Sequence, residues 1–567
     1  MSFIEYARNH SFERDPYKLR FISTEDEVYP SLFEDDVGFS VVMPTPKIYE
    51  ESISFLGYEF PNDALSKQHI ARLFRASVYH LSAHAVASNY EQYSEWGNEK
   101  SPLLFKFVPS VIEDMVVNAF VAAWYPDRFA DLSFACAQSL RRLRKLDNVR
   151  IRATRIMASL MIYANTGLRR FVSKEERGVV EGLFDSMDKC RDLIVKSIDD
   201  KEMDIASEKL LVADQLYEAI ISHGPLIEAP SLPFTEDLGP NSLFPQVKVD
   251  PEVPVDDLLN ECLRGIRGPQ AEGAPIVRAR AAREEALMVF DSHFIEKEKE
   301  RKMLSKYEEF ALLSRFKSME FPDQDYTEYL RAKARCKKDT SKLTERLVLA
   351  MNAYMEDIRK LYGVLDLADA IQVVAGKSDR TDIFLLDEKI QKSYAWAILV
   401  DASTSMRHIR DYVLEMTIVL TESASKVLLD PSSWGVYAFN DSFYIVKDYS
   451  EQYNTRVRSR IGGLRFEGLT YMPDAIEITG RILSRRDEDL KIMAIISDGW
   501  PYGYSNVYKE SQDIIKKLEA SNMIVFGIGA RSRRMEFLFS SQCAAFTLKE
   551  FVNIFGQMYI DVSLNVD

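Results

Sequence analysis

The chain has 567 residues, of which 46% are hydrophobic and 28% charged, so it carries ample material for large buried cores and is not a disordered or fibrous chain as a whole. Lys plus Arg total 72 against 87 Asp plus Glu, a formal charge of -15, and a net field of that sign disfavours wholesale binding to nucleic acid or anionic membrane. Five widely spaced cysteines with no C-x-x-C pair read as buried reduced thiols rather than a disulfide framework or zinc knuckle.

The first residues are charged, with no apolar stretch behind a basic start, and no apolar run approaches the length a membrane helix needs. The sequence therefore predicts a soluble, cytoplasmic protein without a signal peptide. From about Phe74 to Ile221 apolar residues recur every three or four positions, predicting a helical N-terminal domain over residues 1–224. His80 and His84 stand at i and i+4 within it, the spacing by which one helix offers two imidazoles to a metal. Leu81 occupies the place of a zinc protease's general-base Glu, so buried, hydrogen-bonded histidines are the favoured reading there. Arg141, Arg142, Arg144, Lys145, Arg150, Arg152 and Arg155 form a basic run, read as a solvated helix face over a buried Leu140, Leu143 and Leu146 stripe.

Seven prolines between Pro225 and Pro254 forbid a regular helix, and residues 225–276 read as a linker or extended arm. Residues 277–390 are predicted helical again. A stripe from Leu343 through Leu347, Met351, Tyr354, Ile358 and Leu361 suggests one long helix closed by Gly363.

Beyond about Ser393 the texture changes. Apolar runs at Ala395 to Val400, Gly435 to Phe439, Ile492 to Ile496 and Met523 to Ile528 alternate with helical patterns such as Val413 to Val427 and Val507 to Leu518. Buried strands alternating with helices predict a doubly wound, mostly parallel α/β domain over residues 391–567, preceded by the large all-α region. Ligands of such folds bind beyond the carboxyl ends of the strands. The first strand there ends in Asp401-Ala-Ser-Thr-Ser-Met406 and the Ile492 to Ile496 strand in Ser497-Asp-Gly499, and Gly468-Leu-Thr470 opens a helix between them. Asp401, Ser403, Ser405, Thr470 and Asp498 are all oxygen donors, which suits a hard divalent cation and favours magnesium. Two carboxylates and three neutral hydroxyls undercompensate the ion, leaving a position for a partner's carboxylate. No His, Lys or third carboxylate stands in the motif as a general base, and no Gly-x-x-x-x-Gly-Lys-Ser/Thr loop is present, so the protein is expected to be neither a hydrolase nor an ATPase. Arg531, Arg533 and Arg534, after the Met523 to Ile528 strand, are candidates for steering an acidic partner, and Arg456, Arg458 and Arg460 are weaker ones.

These five residues resemble the metal-ion-dependent adhesion site of a von Willebrand factor type A domain. That resemblance implies that Ser403, Ser405 and Thr470 coordinate Mg2+ while the two aspartates orient its waters. Flanking text, namely Gly363-Val-Leu-Asp-Leu with Asp382-Ile-Phe384, Arg458-Ser-Arg-Ile-Gly-Gly-Leu464 and Ser497-Asp-Gly-Trp-Pro501 with Val507-Tyr508, is similar to NorD- and CbbO-type proteins. Members of that group are adaptors that attach a MoxR-type AAA+ ATPase ring to a client protein needing remodelling. The resemblance thus implies a non-enzymatic adaptor with a AAA+ partner and a client it does not name. A Ro-like RNA-binding protein, which also joins helical repeats to a von Willebrand A domain, is the alternative.

Overall fold

The computed structural model describes residues 3–35, 38–200, 203–267, 279–351, 355–361, 364–388 and 393–565. The chain divides into two compact units, Met1–Lys299 and Glu300–Asp567.

The first unit is mainly helical from Ala64 onward. Its long helices are Ala64–Ala87, Pro102–Trp124, Pro126–Arg142, Arg152–Thr166, Arg177–Asp199 and Ala206–Ile221. Asp63 opens the first of these, its carboxylate accepting from Ser66 N at 2.7 Å. Ahead of them, where a helical domain was expected, residues 19–61 form strands. Leu19–Thr24, Phe39–Pro44 and Ser31–Glu34 make one small sheet, and Lys47–Ile48, Ser52–Phe55 and Tyr58–Pro61 begin another. Local chemistry explains the second. Leu56 and Gly57 both take positive φ, 50° and 72°, the conformation of a two-residue hairpin turn. Ile53, Phe55, Tyr58 and Phe60 then face the core with the alternation of paired strands.

The Pro-rich segment is an arm packed on the same unit rather than a free tether. Ala229, Leu232, Phe234, Leu243 and Phe244 are buried in its core, and Val247–Lys248 pairs in parallel with Tyr58–Glu59. Prolines remove donors but not side chains, so an irregular arm still buries apolar area. The predicted Leu140, Leu143, Leu146 stripe is not one helix: the helix ends at Arg142, and a separate short turn spans Leu146–Asn148.

The second unit is built on a seven-stranded sheet. Its order is Ser541–Ala545, Met523–Ala530, Leu490–Ser497, Tyr394–Asp401, Trp434–Phe439, Phe443–Lys447 and Met319–Glu320. All neighbours are parallel except Trp434–Phe439 with Phe443–Lys447. The α/β architecture expected of the C-terminal region is therefore present, and the sheet draws its last edge strand from upstream. Every residue of Tyr394–Asp401 is buried. Trp396, Ile398 and Val400 pack into one core cluster and Ala395, Ala397 and Leu399 into another. Such a strand must be apolar at every position, because both faces of the sheet are covered by helices. One face carries Arg410–Val427 and Leu548–Asn565, the other Met472–Ser484 and Val507–Ala520.

Between these regions the predicted helical stripe breaks. The helix Lys337–Met351 stops, and Met355–Lys360 is a strand in a small antiparallel sheet with Phe384–Glu388 and Val364–Leu365. Its partner strand lies beyond the reach of any local period, and ladder pairing overrides helical spacing there. Tyr354 and Gly363 lie outside the described residues.

All five cysteines are buried and unpaired. Among the described residues, no helix is long and apolar enough to cross a membrane.

Candidate functional site

Strand order reverses at Tyr394–Asp401: from it the sheet grows one way to Trp434–Phe439 and the other way to Leu490–Ser497, both parallel to it. A crevice opens at the carboxyl ends of strands at such a switch point. The predicted residues sit on the loops that line it.

Asp401 is the last residue of its strand and fully buried. Its Oδ1 accepts from Ser403 N at 3.0 Å, and its Oδ2 accepts from Ser497 Oγ at 2.6 Å. Among the described residues no Lys, Arg or His pairs with it. Burial pushes its carboxyl up to about 6; hydrogen bonds from Ser403 and Ser497 act the other way, and the nearby charge of Asp498 adds to the rise. Ser403 is buried, and its Oγ lies 3.1 Å from Ser405 Oγ. The i, i+2, i+4 spacing thus sets a carboxylate and two hydroxyls on one tight turn.

The Thr470 loop is tied to this turn through backbone. Gly468 O accepts from both Thr404 N at 3.2 Å and Thr404 Oγ1 at 3.0 Å, and Glu467 N donates to Ala402 O at 2.9 Å. Thr470 is buried, and its N–H donates to Tyr502 O at 2.8 Å, bridging to the loop after the Ser497 strand. Asp498 opens that loop, its Oδ1 accepting from Trp500 N at 3.0 Å. The three loops thus form one hydrogen-bonded set, with Asp401, Ser403 and Ser405 adjacent at its centre. Asp498 is felt electrostatically by Asp401, and Thr470 is placed by the bridge to Tyr502.

Arg531, Arg533, Arg534, His408 and Asp498 line a shared cavity of about 420 Å³. Arg534 stacks on Trp500 with its guanidinium carbon 3.6 Å from the ring centroid, and Arg531 lies 5.0 Å from the Tyr412 ring. Of the weaker candidates, Arg456 and Arg460 do not reach the surface, while the Arg458 side chain is partly exposed. Arg460 is fully buried between Glu300 and Glu451, Arg456 is buried against Glu300, and Arg458 pairs with Glu422. They are structural ion pairs, because a guanidinium cannot be buried without carboxylates around it. The basic run of the first unit is likewise not a continuous solvated face. Arg142 is buried, donating to Leu56 O and Phe244 O, and Arg155 is buried against Glu175 and Glu176.

Two participants were not singled out from sequence. Ser497 supplies the hydroxyl on Asp401; its signal is a small hydroxylated residue ending an otherwise apolar strand. Tyr502 supplies a backbone carbonyl, which no sequence pattern announces.

No protein-family model and no curated protein matches the chain. Among solved structures, the pilus adhesin SpaC from Lactobacillus rhamnosus GG in its open conformation is 15% identical at a TM-score of 0.25, covering 30% of this chain and 30% of that chain. The PilB minor pilin from Streptococcus sanguinis is 12% identical at a TM-score of 0.25, covering 32% of this chain and 64% of that chain. Each match thus spans less than two thirds of the other protein, and likeness at this level carries no argument about function.

Proposed function

We propose that the protein is a non-enzymatic adaptor of the NorD/CbbO type, with a von Willebrand A-like domain in its second unit. In this reading Asp401, Ser403, Ser405, Thr470 and Asp498 hold Mg2+, and the site captures an acidic side chain of a MoxR-type AAA+ ATPase or of the client that the ATPase remodels. The observation that carries the reading is the buried carboxylate of Asp401, at a topological switch point, with two hydroxyls beside it and, among the described residues, no cationic side chain paired with it.

The donor set fits the ion. Every candidate ligand is an oxygen, which suits a hard cation, and the loops are short and cross-linked, as an ion with strict geometry requires. When bound, magnesium supplies the coordination position that an incoming carboxylate fills. The residues of the chain do the rest. Asp401 and Asp498 concentrate negative charge at two adjacent strand ends, Ser403 and Ser405 present neutral oxygens, and Arg531, Arg533 and Arg534 provide a positive field over the cavity that Asp498 lines. That field draws an anionic side chain toward a site whose own carboxylates would otherwise repel it.

Arg142 and Arg155 are buried in backbone contacts and ion pairs, so these two of the seven basic residues offer no charge to RNA, which favours the adaptor reading. The experiment is capture of partners from source lysate by wild type and by Asp401→Ala, each with magnesium and with EDTA. Recovery of a AAA+ protein in the magnesium-containing wild-type lane alone supports the adaptor; equal recovery in all lanes overturns it.

A further inference from the structure

His80 and His84, one turn apart on the helix Ala64–Ala87, face Asp114 from the helix Pro102–Trp124 and Glu236 from the Pro-rich arm. All four side chains are buried. The two Nε2 atoms are 3.1 Å apart. His80 Nε2 lies 3.3 Å from Asp114 Oδ1 and 3.3 Å from Glu236 Oε2; His84 Nε2 lies 3.4 Å and 3.8 Å from the same two oxygens.

We propose that these four residues bind one zinc ion, which fastens the Pro-rich arm to the helical core of the first unit. Four ligands at about 2.0 to 2.1 Å from a tetrahedral centre are about 3.3 to 3.4 Å from one another, whereas neighbouring ligands of an octahedral centre at that bond length are about 2.8 to 3.0 Å apart. Five of the six separations, 3.1 to 3.8 Å, centre on the tetrahedral value, and all four atoms lie within 4.8 Å of one another.

Protons fill the group less well than an ion does. If both imidazoles carried a proton on Nε2, two N–H donors would point at each other across 3.1 Å. If only one did, a single hydrogen would face three acceptors. Asp114 Oδ1, fully enclosed, accepts no well-formed hydrogen bond, the kind of orphan atom that buried sites rarely leave. A dication takes a lone pair from all four atoms at once, and the two carboxylates neutralise its charge, which removes most of the cost of burying it.

An outer layer holds three of the four ligands in place, His80 Nδ1 being buried without a partner. His84 Nδ1 lies 2.8 Å from Ser88 Oγ and 3.2 Å from Tyr90 OH, which turns its Nε2 lone pair inward. Asn165 Nδ2 donates to Asp114 Oδ2 at 2.7 Å, and Asn118 Nδ2 donates to Asn165 Oδ1 at 3.1 Å. Ser110 Oγ donates to Glu236 Oε1. Tyr90, Ser110 and Glu236 also line a cavity of about 860 Å³ that gives an ion a way in. Four protein donors leave no open coordination position, so the ion is structural and no hydrolysis is assigned to it.

The test is elemental analysis of the full chain, purified without chelators or metal-affinity resin, in the Asp401→Ala background so that zinc at the other candidate site is not counted. About one zinc per chain is expected, falling at least tenfold in Asp114→Asn and Glu236→Gln. Stripping the metal should lower the melting temperature and zinc should restore it. Should the variants fail to fold, cobalt substituted into the stripped wild-type chain provides the second readout, with the intense visible bands of a tetrahedral ion. Chains without zinc whose melting temperature zinc does not move, one equivalent of iron or manganese instead, or the weak bands of six-coordinate cobalt would each overturn the proposal.

Discussion

Ser497 and Asp401 join the carboxyl ends of two adjacent parallel strands: the serine hydroxyl donates to Asp401 Oδ2 at 2.6 Å. With Ser403 N on the other oxygen, both lobes of a fully buried carboxylate are engaged from two loops. Replacing Ser497 by Ala leaves one lobe buried and without that donor, at a cost of about 1 to 3 kcal/mol. Urea denaturation of wild type and Ser497→Ala in EDTA should show that loss; a difference under about 0.5 kcal/mol would mean the bond does not hold the strand ends together.

Gly468 determines where the Thr470 loop runs. Its φ is +77°, and a Cβ there would lie 2.3 Å from Asp441 Oδ1. Lys317 pairs with the Asp441 carboxylate, so it does not swing aside freely. Gly468→Ala should cost about 1 to 3 kcal/mol through backbone strain and overpacking. Since Gly468 O also anchors Thr404, the displaced loop should weaken magnesium binding at least fivefold by calorimetric titration. Unchanged affinity would separate the loop from the ion.

Arg460, fully buried, donates to Glu300 and to both oxygens of Glu451. Arg460→Met takes the cation from Glu451 and leaves Glu300 with Arg456 alone, and should destabilise the second unit by about 3 to 5 kcal/mol. Arg460→Lys should recover little, because an ammonium cannot reproduce the planar fork. Chemical denaturation measures both; a loss under about 1 kcal/mol for Met would show that water reaches the pair.

Lys447 Nζ donates to Pro431 O and Trp434 O, each at 2.7 Å, and burial pulls its pKa down to about 8. In the unfolded chain the ammonium holds its proton to about pH 10.4. Between those values the unfolded state binds more protons, so stability rises with pH, by up to about 1.4 kcal/mol per unit. Below about pH 8 the burial cost is constant. The stability of wild type minus that of Lys447→Met should therefore climb between pH 8 and 10; a flat difference would place the lysine pKa near its ordinary value.

Four strands of the large sheet were legible because a strand covered on both faces must be apolar throughout, and Ala395 to Val400 satisfies that without reference to anything distant; Met319–Glu320, Phe443–Lys447 and Ser541–Ala545 were not located. Asp401 and Asp498 were legible for the complementary reason: polar residues ending apolar runs fall at the crevice by topology alone. Residues 19–61 were not, since short strands interrupted by charged residues lack a strong period, and Met355–Lys360 depends on a partner strand its own spacing does not reveal. Arg460 illustrates a third limit. Its burial follows from Glu300, a carboxylate 160 residues away, and a lone arginine in sequence looks the same whether it faces water or a buried pair. Glu236 is the plainest case, because an irregular arm offers no periodicity from which to infer where any of its side chains points.

The arm that carries Glu236 has a temporal consequence. His80 and Glu236 are separated by 156 residues of chain, so during synthesis the paired imidazoles and Asp114 emerge long before their fourth companion. A newborn chain must span that gap with an incomplete trio, and loop closure over such a distance is slow compared with helix formation. The arm cannot dock before Glu236 has been made, and until then the buried group of four stays incomplete.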